Sequence, residues 1–193
     1  MKNPINRKTF LLVAVLASMA VSVHAQNLVQ NPGFETGMFA PAWINAGDTT
    51  FDSVSTAAPN SGIFAANLGS TTLSTLTQFI NTIPGQLYNV SFFLRNDAGI
   101  GPLNNFTAAF AGVVGVSITP NSPSFPYTQF SFNNVLAPTA STALVFTARN
   151  GPGFWRLDDV SVRLVPEPST AALLGVVAAG ALGLRVWRKR KAA

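Results

Sequence analysis

Between Gln26 and Val165 the chain carries few side chains capable of chemistry: the acids Glu35, Asp48, Asp52, Asp97, Asp158 and Asp159, and the bases Arg95, Arg149, Arg156 and Arg163. There is no cysteine, which removes thiol nucleophiles, disulfide staples and zinc ribbons. The single histidine, His24, falls at the end of an apolar N-terminal run, so a Ser-His-Asp triad has no imidazole to use. No P-loop or dinucleotide-binding glycine pattern opens a helix. A glycosidase needs two carboxylates facing one another across a sugar at roughly 5 to 9.5 Å. Glu35 with Asp48, Asp52 or Asp97 leaves that open, whereas Asp158 and Asp159, adjacent on a strand, point to opposite faces. Alternation puts Arg156, Asp158, Val160, Val162 and Leu164 on one face, so Asp158 is expected to look toward the core. A buried charge needs a partner, and backbone N–H groups or an arginine would serve. For ligand binding the candidates are Trp43, Phe125 and Trp155, in or beside loops with Tyr127 and Phe154, because planar rings stack on sugar faces. Fifteen Phe in so short a chain favour the alternative that such rings fill a core. The segment Thr119–Pro126 is a loop on composition and so a further place to look for binding.

The elements that must position these groups read as strands. Tyr88, Val90, Phe92 and Leu94 alternate with Asn89, Ser91, Phe93 and Arg95, and Phe106, Ala108 and Phe110 alternate with Thr107 and Ala109. Similar runs occupy 63–68, 73–80, 127–133, 143–148 and 155–164, with Pro, Gly, Asn and Ser between them. Pro84-Gly85 is the clearest turn. No interior stretch has a capped helical period, so the spacing predicts an all-β, antiparallel two-sheet sandwich of about eight to ten strands.

The two ends read as addresses. Lys2, Arg7 and Lys8, an apolar run from Phe10 to Val23 and the closing Val23-His24-Ala25 make a signal peptide over 1–25, to be removed by signal peptidase. An uncleaved anchor is the alternative, for which the run is short. At the other end Pro166-Glu167-Pro168 precedes an Ala/Leu/Gly/Val stretch, expected as a transmembrane helix over about 169–187, and a basic tail over 188–193. A plain stop-transfer anchor would have the same layout. The tripartite segment 165–193 resembles the sorting signal of PEP-CTERM proteins. The resemblance implies a Gram-negative-type bacterial envelope protein whose Pro166, Glu167 and Pro168 are recognised by an exosortase. It further implies passage through the inner membrane and display at the cell surface or in an exopolysaccharide biofilm matrix.

The exported domain, 26–164, opens with Asn27-Leu28-Val29-Gln30-Asn31-Pro32-Gly33-Phe34-Glu35-Thr36-Gly37 and closes with Phe154-Trp155-Arg156-Leu157-Asp158-Asp159-Val160-Ser161-Val162. This pairing resembles the jelly rolls of the galactose-binding-like group, including carbohydrate-binding modules. That resemblance implies a jelly-roll β-sandwich, and a structural calcium held by Glu35 and Asp158. The chain's net charge of +5 belongs to its ends: four arginines against six acids leave the exported part at −2, which argues against nucleic acid as a partner. The expected function is a non-catalytic surface protein binding carbohydrate or another matrix component. A self-associating matrix protein and a polysaccharide-acting enzyme are the alternatives.

Overall fold

The computed structural model describes residues 25–97 and 104–166. His24 with the rest of 1–24, Glu167 and Pro168, the expected transmembrane helix and the basic tail lie outside the described residues. Ala25–Val165 forms one compact unit. It contains ten strands: β1 (Ile44–Gly47), β2 (Ser53–Ser55), β3 (Ala65–Leu68), β4 (Ser74–Asn81), β5 (Leu87–Asn96), β6 (Asn105–Phe110), β7 (Val113–Ile118), β8 (Phe125–Leu136), β9 (Ser141–Arg149) and β10 (Trp155–Leu164). They form two five-stranded sheets, ordered β1-β4-β9-β6-β7 and β2-β3-β10-β5-β8, with every pairing antiparallel. The all-β jelly-roll sandwich is the architecture found.

Alternation drives this arrangement. Tyr88, Val90, Phe92 and Leu94 of β5 and Leu144, Phe146 and Ala148 of β9 are buried, while the residues between them face outward. Between the sheets the rings form a continuous spine. Phe34 meets Trp43 at 5.5 Å, Phe146 meets Phe92 at 5.1 Å and Phe106 meets Trp155 at 5.6 Å. Such pairs add about 0.5–1.5 kcal/mol each beyond their buried area. Pro84-Gly85 makes the β4–β5 turn: Gly85 has φ of 81° and Gln86 N–H donates to the Ile83 carbonyl, as a type II turn requires.

One expected alternation fails in β10. Asp158 pairs with Phe93 and Ser161 with Ser91, so Asp159 and Val160 together stand opposite Phe92 alone. This is a β-bulge, with Asp159 in the left-handed region at φ 49°. Before it the core-facing residues are Trp155 and Leu157; after it they are Val160 and Val162. Arg156 therefore does not share the core face with Val160, and Asp158 and Asp159 are not sent apart, contrary to strict alternation.

Candidate functional site

Trp43 and Trp155 are not available to a ligand. They are 2% and 0% exposed. The Trp43 Nε1 donates to the Asn31 carbonyl at 3.2 Å and the Trp155 Nε1 to the Arg149 carbonyl at 3.1 Å, so both indoles are committed inside the sandwich. Each begins or precedes a strand whose partners lie far off in sequence, so nearness to a loop misplaced them at the surface. Phe125 is half-buried against Phe130 and Trp155, each ring at 6.0 Å. The 119–126 segment is tied down beneath it: Asn96 Nδ2 donates to the Ser122 and Pro123 carbonyls, Asn104 accepts from Ser122 N–H, and Asn150 donates to Asn96 Oδ1.

The bulge gathers the acidic residues at the sandwich's flank. Asp158 is fully buried; its Oδ2 accepts from Asn60 N–H at 2.8 Å and Ser61 N–H at 3.2 Å, and its Oδ1 from Asp159 N–H at 2.7 Å. Burial pushes its carboxyl up to about 6, against those N–H groups, which pull it down. Asp159 accepts from Asn60 Nδ2 and Ser61 Oγ, so both carboxylates hold the same loop. Glu35 takes the next stretch, accepting Ile63 N–H on both oxygens at 3.1 Å and Phe64 N–H at 3.2 Å. Gly62, at φ 61°, lies under that carboxylate: a Cβ there would stand 2.2 Å from Glu35 Oε1. The three acids surround Gly33, whose Cβ position is 3.5 Å from Asp158 Oδ1, 3.6 Å from Glu35 Cγ and 3.8 Å from Asp159 Oδ1.

This donor set has the hard oxygens that a calcium ion takes, and no cationic side chain among the described residues pairs with any of the three. Its oxygens are turned to N–H donors and to the Ser61 hydroxyl. Among the described residues no three His, Cys, Asp or Glu side chains are already set as a metal cluster.

A second constellation, on the outward face of the β2-β3-β10-β5-β8 sheet, was not singled out as a site from the sequence. Register places Arg156 of β10 between Arg95 of β5 and Asn67 of β3. Two like charges directly opposed repel. Here Asp97, two residues beyond Arg95, accepts from Nε of both arginines. Arg156 Nη1 also donates to Asn67 Oδ1 at 2.8 Å and to the Ala57 carbonyl, and its guanidinium lies 5.9 Å from the Phe154 ring centre. Tyr127 donates its hydroxyl to the Ala58 carbonyl at 3.0 Å. Burial and the nearby Asp158 charge raise its ionisation well above the ordinary phenol range. Arg95 is the open member: its side chain is 39% exposed and its terminal Nη groups donate to nothing among the described residues. The signal was present as three of the few charges in the domain, but their meeting depends on β5–β10 register.

Asp48 and Asp52 form a separate brace. Asp48 accepts from Thr72 N–H and Oγ1, which hold its carboxyl below the ordinary range; Asp52 accepts from Gly69 N–H and Ser70 Oγ, and burial raises it. Both tie the β1–β2 connection to the β3–β4 connection, apart from the loop that Glu35 holds.

Residues 164–191, starting at the last residue of β10, match the PEP-CTERM protein-sorting motif. The chain carries a PEP-CTERM sorting signal. That signal implies export and membrane-anchored sorting of the kind found in Gram-negative bacteria. No curated protein matches the chain. Among solved structures, the sorted domain is similar to TmCBM61 in complex with β-1,4-galactotriose, at 23% identity and TM-score 0.58, over 73% of this chain and 100% of that one. It is also similar to the CBM22-1 xylan-binding domain of Paenibacillus barcinonensis Xyn10C, at 14% identity and TM-score 0.55, over 74% and 97%. A third is the K3 cleaved adhesin domain of Lys-gingipain from Porphyromonas gingivalis, at 13% identity and TM-score 0.51, over 70% and 98%. At these identities the likeness is one of fold: a carbohydrate-binding-module-like β-sandwich behind a PEP-CTERM signal.

Proposed function

We propose that this is an exported, non-catalytic carbohydrate-binding protein of the bacterial surface matrix. It takes a neutral polysaccharide on the outward face of the β2-β3-β10-β5-β8 sheet. The observation that carries the reading is the Arg95–Asp97–Arg156 bridge. Asp97 accepts from Nε of both guanidinium groups, and the Arg95 side chain is 39% exposed. Pre-fixed planar donors lose little freedom when they meet sugar hydroxyls. Tyr127 and Phe154 border this face with apolar ring surface, the usual companion of directed polar groups in a saccharide site. The printed ligands of two similar structures, a galactotriose and xylan, support the class of ligand without naming it for this chain. The test is affinity electrophoresis through gels containing soluble galactan, xylan or the producing strain's exopolysaccharide. Wild type is retarded in at least one, and Arg95→Ala loses that retardation while melting normally. Migration of folded wild type unchanged in all of them sinks the reading.

In the anchored precursor, exosortase acts at Pro166, Glu167 and Pro168, after signal peptidase has acted at the other end. Calcium belongs to the same proposal, with Glu35 and Asp158 as side-chain ligands and Asp159 beside them. A divalent ion would offset three gathered negative charges and hold the first-strand region against β10. A melting temperature lowered by EGTA and restored by calcium is the expected result. An unchanged melt leaves the N–H clamp as the whole device.

Self-association has its own observation. The outward face of the other sheet carries Ala46, Thr75, Thr147, Thr107 and Ser117 in one row across all five strands, without a charge. A mass that stays monomeric in light scattering at high protein concentration excludes it.

A further inference from the structure

The charges of the described domain are unevenly placed. No charged residue occurs between Ser53 and Leu94 or between Ala98 and Ala148. These stretches supply the β4–β5 turn, the β6–β7 hairpin and the β8–β9 connection, which register brings to one end of the sandwich: Leu87 pairs with Leu136, Asn81 with Ser141, Phe110 with Leu144. Six large apolar side chains stand out at that end, Phe79, Ile83, Leu87, Val113, Val114 and Leu136, between 38% and 60% exposed. No carboxylate lies in these loops. The nearest charge in β10 is Arg163, exposed, whose Nη1 donates to the Ala25 carbonyl.

Both ends of the described domain lie at this same place. Leu28 N–H donates to the Val162 carbonyl, and Val165 N–H donates to the Leu87 carbonyl at 2.8 Å, which pins the exit of the chain beside the apolar cluster. Only residues 166–170 separate Val165 from the apolar run starting at Ala171. Five residues span at most about 18 Å even when fully extended.

We infer that this apolar end is a lipid-contact surface, on which the domain rests against the outer leaflet of the inner membrane while its C-terminal run is anchored. The inference rests on the anchored-export reading of the sorting signal. An uncharged apolar tip enters the headgroup region at little desolvation cost, and Arg163 meets anionic headgroups. The six carboxylates of 26–165, which those headgroups would repel, sit elsewhere in the domain, and Glu167 is the one acid in the short link to the apolar run. The Arg95–Asp97–Arg156 face then stays turned away from the membrane, free for polysaccharide.

The absence of cysteine makes the test direct. Full-length chain bearing Leu136→Cys or Ile83→Cys, labelled with an environment-sensitive fluorophore, is reconstituted into phosphatidylcholine–phosphatidylglycerol vesicles containing nitroxide-labelled lipid. Thr49→Cys, on the exposed β1–β2 connection at the other end, is the control. Lipid nitroxide should quench the label at 136 or 83 severalfold more than the label at 49, and Leu87→Asp with Val114→Asp should remove the difference. Vesicle flotation is read on the same samples. Chain that floats but is quenched equally at both ends overturns the inference alone. Chain that fails to float overturns the anchored reading and the inference with it. Loss of gel retardation by polysaccharide bears on the Arg95 face only.

Discussion

Replacing Trp155 by alanine separates a packing role from a binding role. The side chain is wholly buried, meets Phe106 at 5.6 Å and Phe125 at 6.0 Å, and donates its indole N–H to the Arg149 carbonyl. Truncating a buried Trp costs about 3–5 kcal/mol through lost transfer energy and the cavity left behind. The orphaned carbonyl adds about 1 kcal/mol if water cannot reach it. Whole domains are stable by only about 5–15 kcal/mol, so the variant should be marginal. At about 2–4 °C of melting temperature per kcal/mol, the midpoint should fall by roughly 10 °C or more. Urea denaturation of wild type and variant, followed by near-ultraviolet circular dichroism, reads this as a lower midpoint with the same slope. Below the variant's transition, retardation by polysaccharide should persist. A variant that melts like wild type yet loses retardation would refute the reasoning. It would mean that Trp155 faces ligand and that the core has been assigned wrongly.

Arg95→Ala should do the reverse, abolishing retardation while moving the denaturation midpoint by less than about 1 kcal/mol, since an exposed ion pair contributes little. Gly62→Ala should lower stability by about 2–3 kcal/mol in urea titration, combining a left-handed alanine with displacement of Glu35 from Ile63 and Phe64. In calcium-free buffer the Asp158 carboxyl, raised from 3.8 to about 6 in the folded chain, stays protonated where the unfolded chain has already released its proton. Its contribution is complete below about pH 4 and is lost as pH rises through 6, so stability should fall over that window by up to about 3 kcal/mol. Asp158→Asn should flatten that slope in denaturation midpoints measured across the same range.

Strands with strict alternation are legible in the sequence: β5, β6 and β9 fall where period two puts them, because each has one face in the core, and β10 keeps that period only on either side of its bulge. β1 and β2 were not, being four and three residues long with mostly exposed side chains. Val113-Val114-Gly115-Val116 hides β7 because its apolar residues are consecutive and largely exposed at an edge. The β10 bulge had no sequence mark, since a two-against-one pairing is a property of two strands. For the same reason Glu35 and Asp158 were found from their motifs, but Asp159 as their companion was not. Arg95, Asp97 and Arg156 were visible one by one, and their bridge required the β5–β10 register.

The place of β10 has a consequence for export. It is the last of the described strands in chain order, yet it lies at the centre of its sheet, between β3 and β5, and Asn27 at the start of the domain closes on it through Val160 and Val162. A chain delivered from its N-terminus holds that sheet open, in two halves, until its final ten strand residues arrive. The sorting motif begins where β10 ends, so a chain lacking that one strand would lose the centre of the sheet and leave β3 and β5 without their shared neighbour.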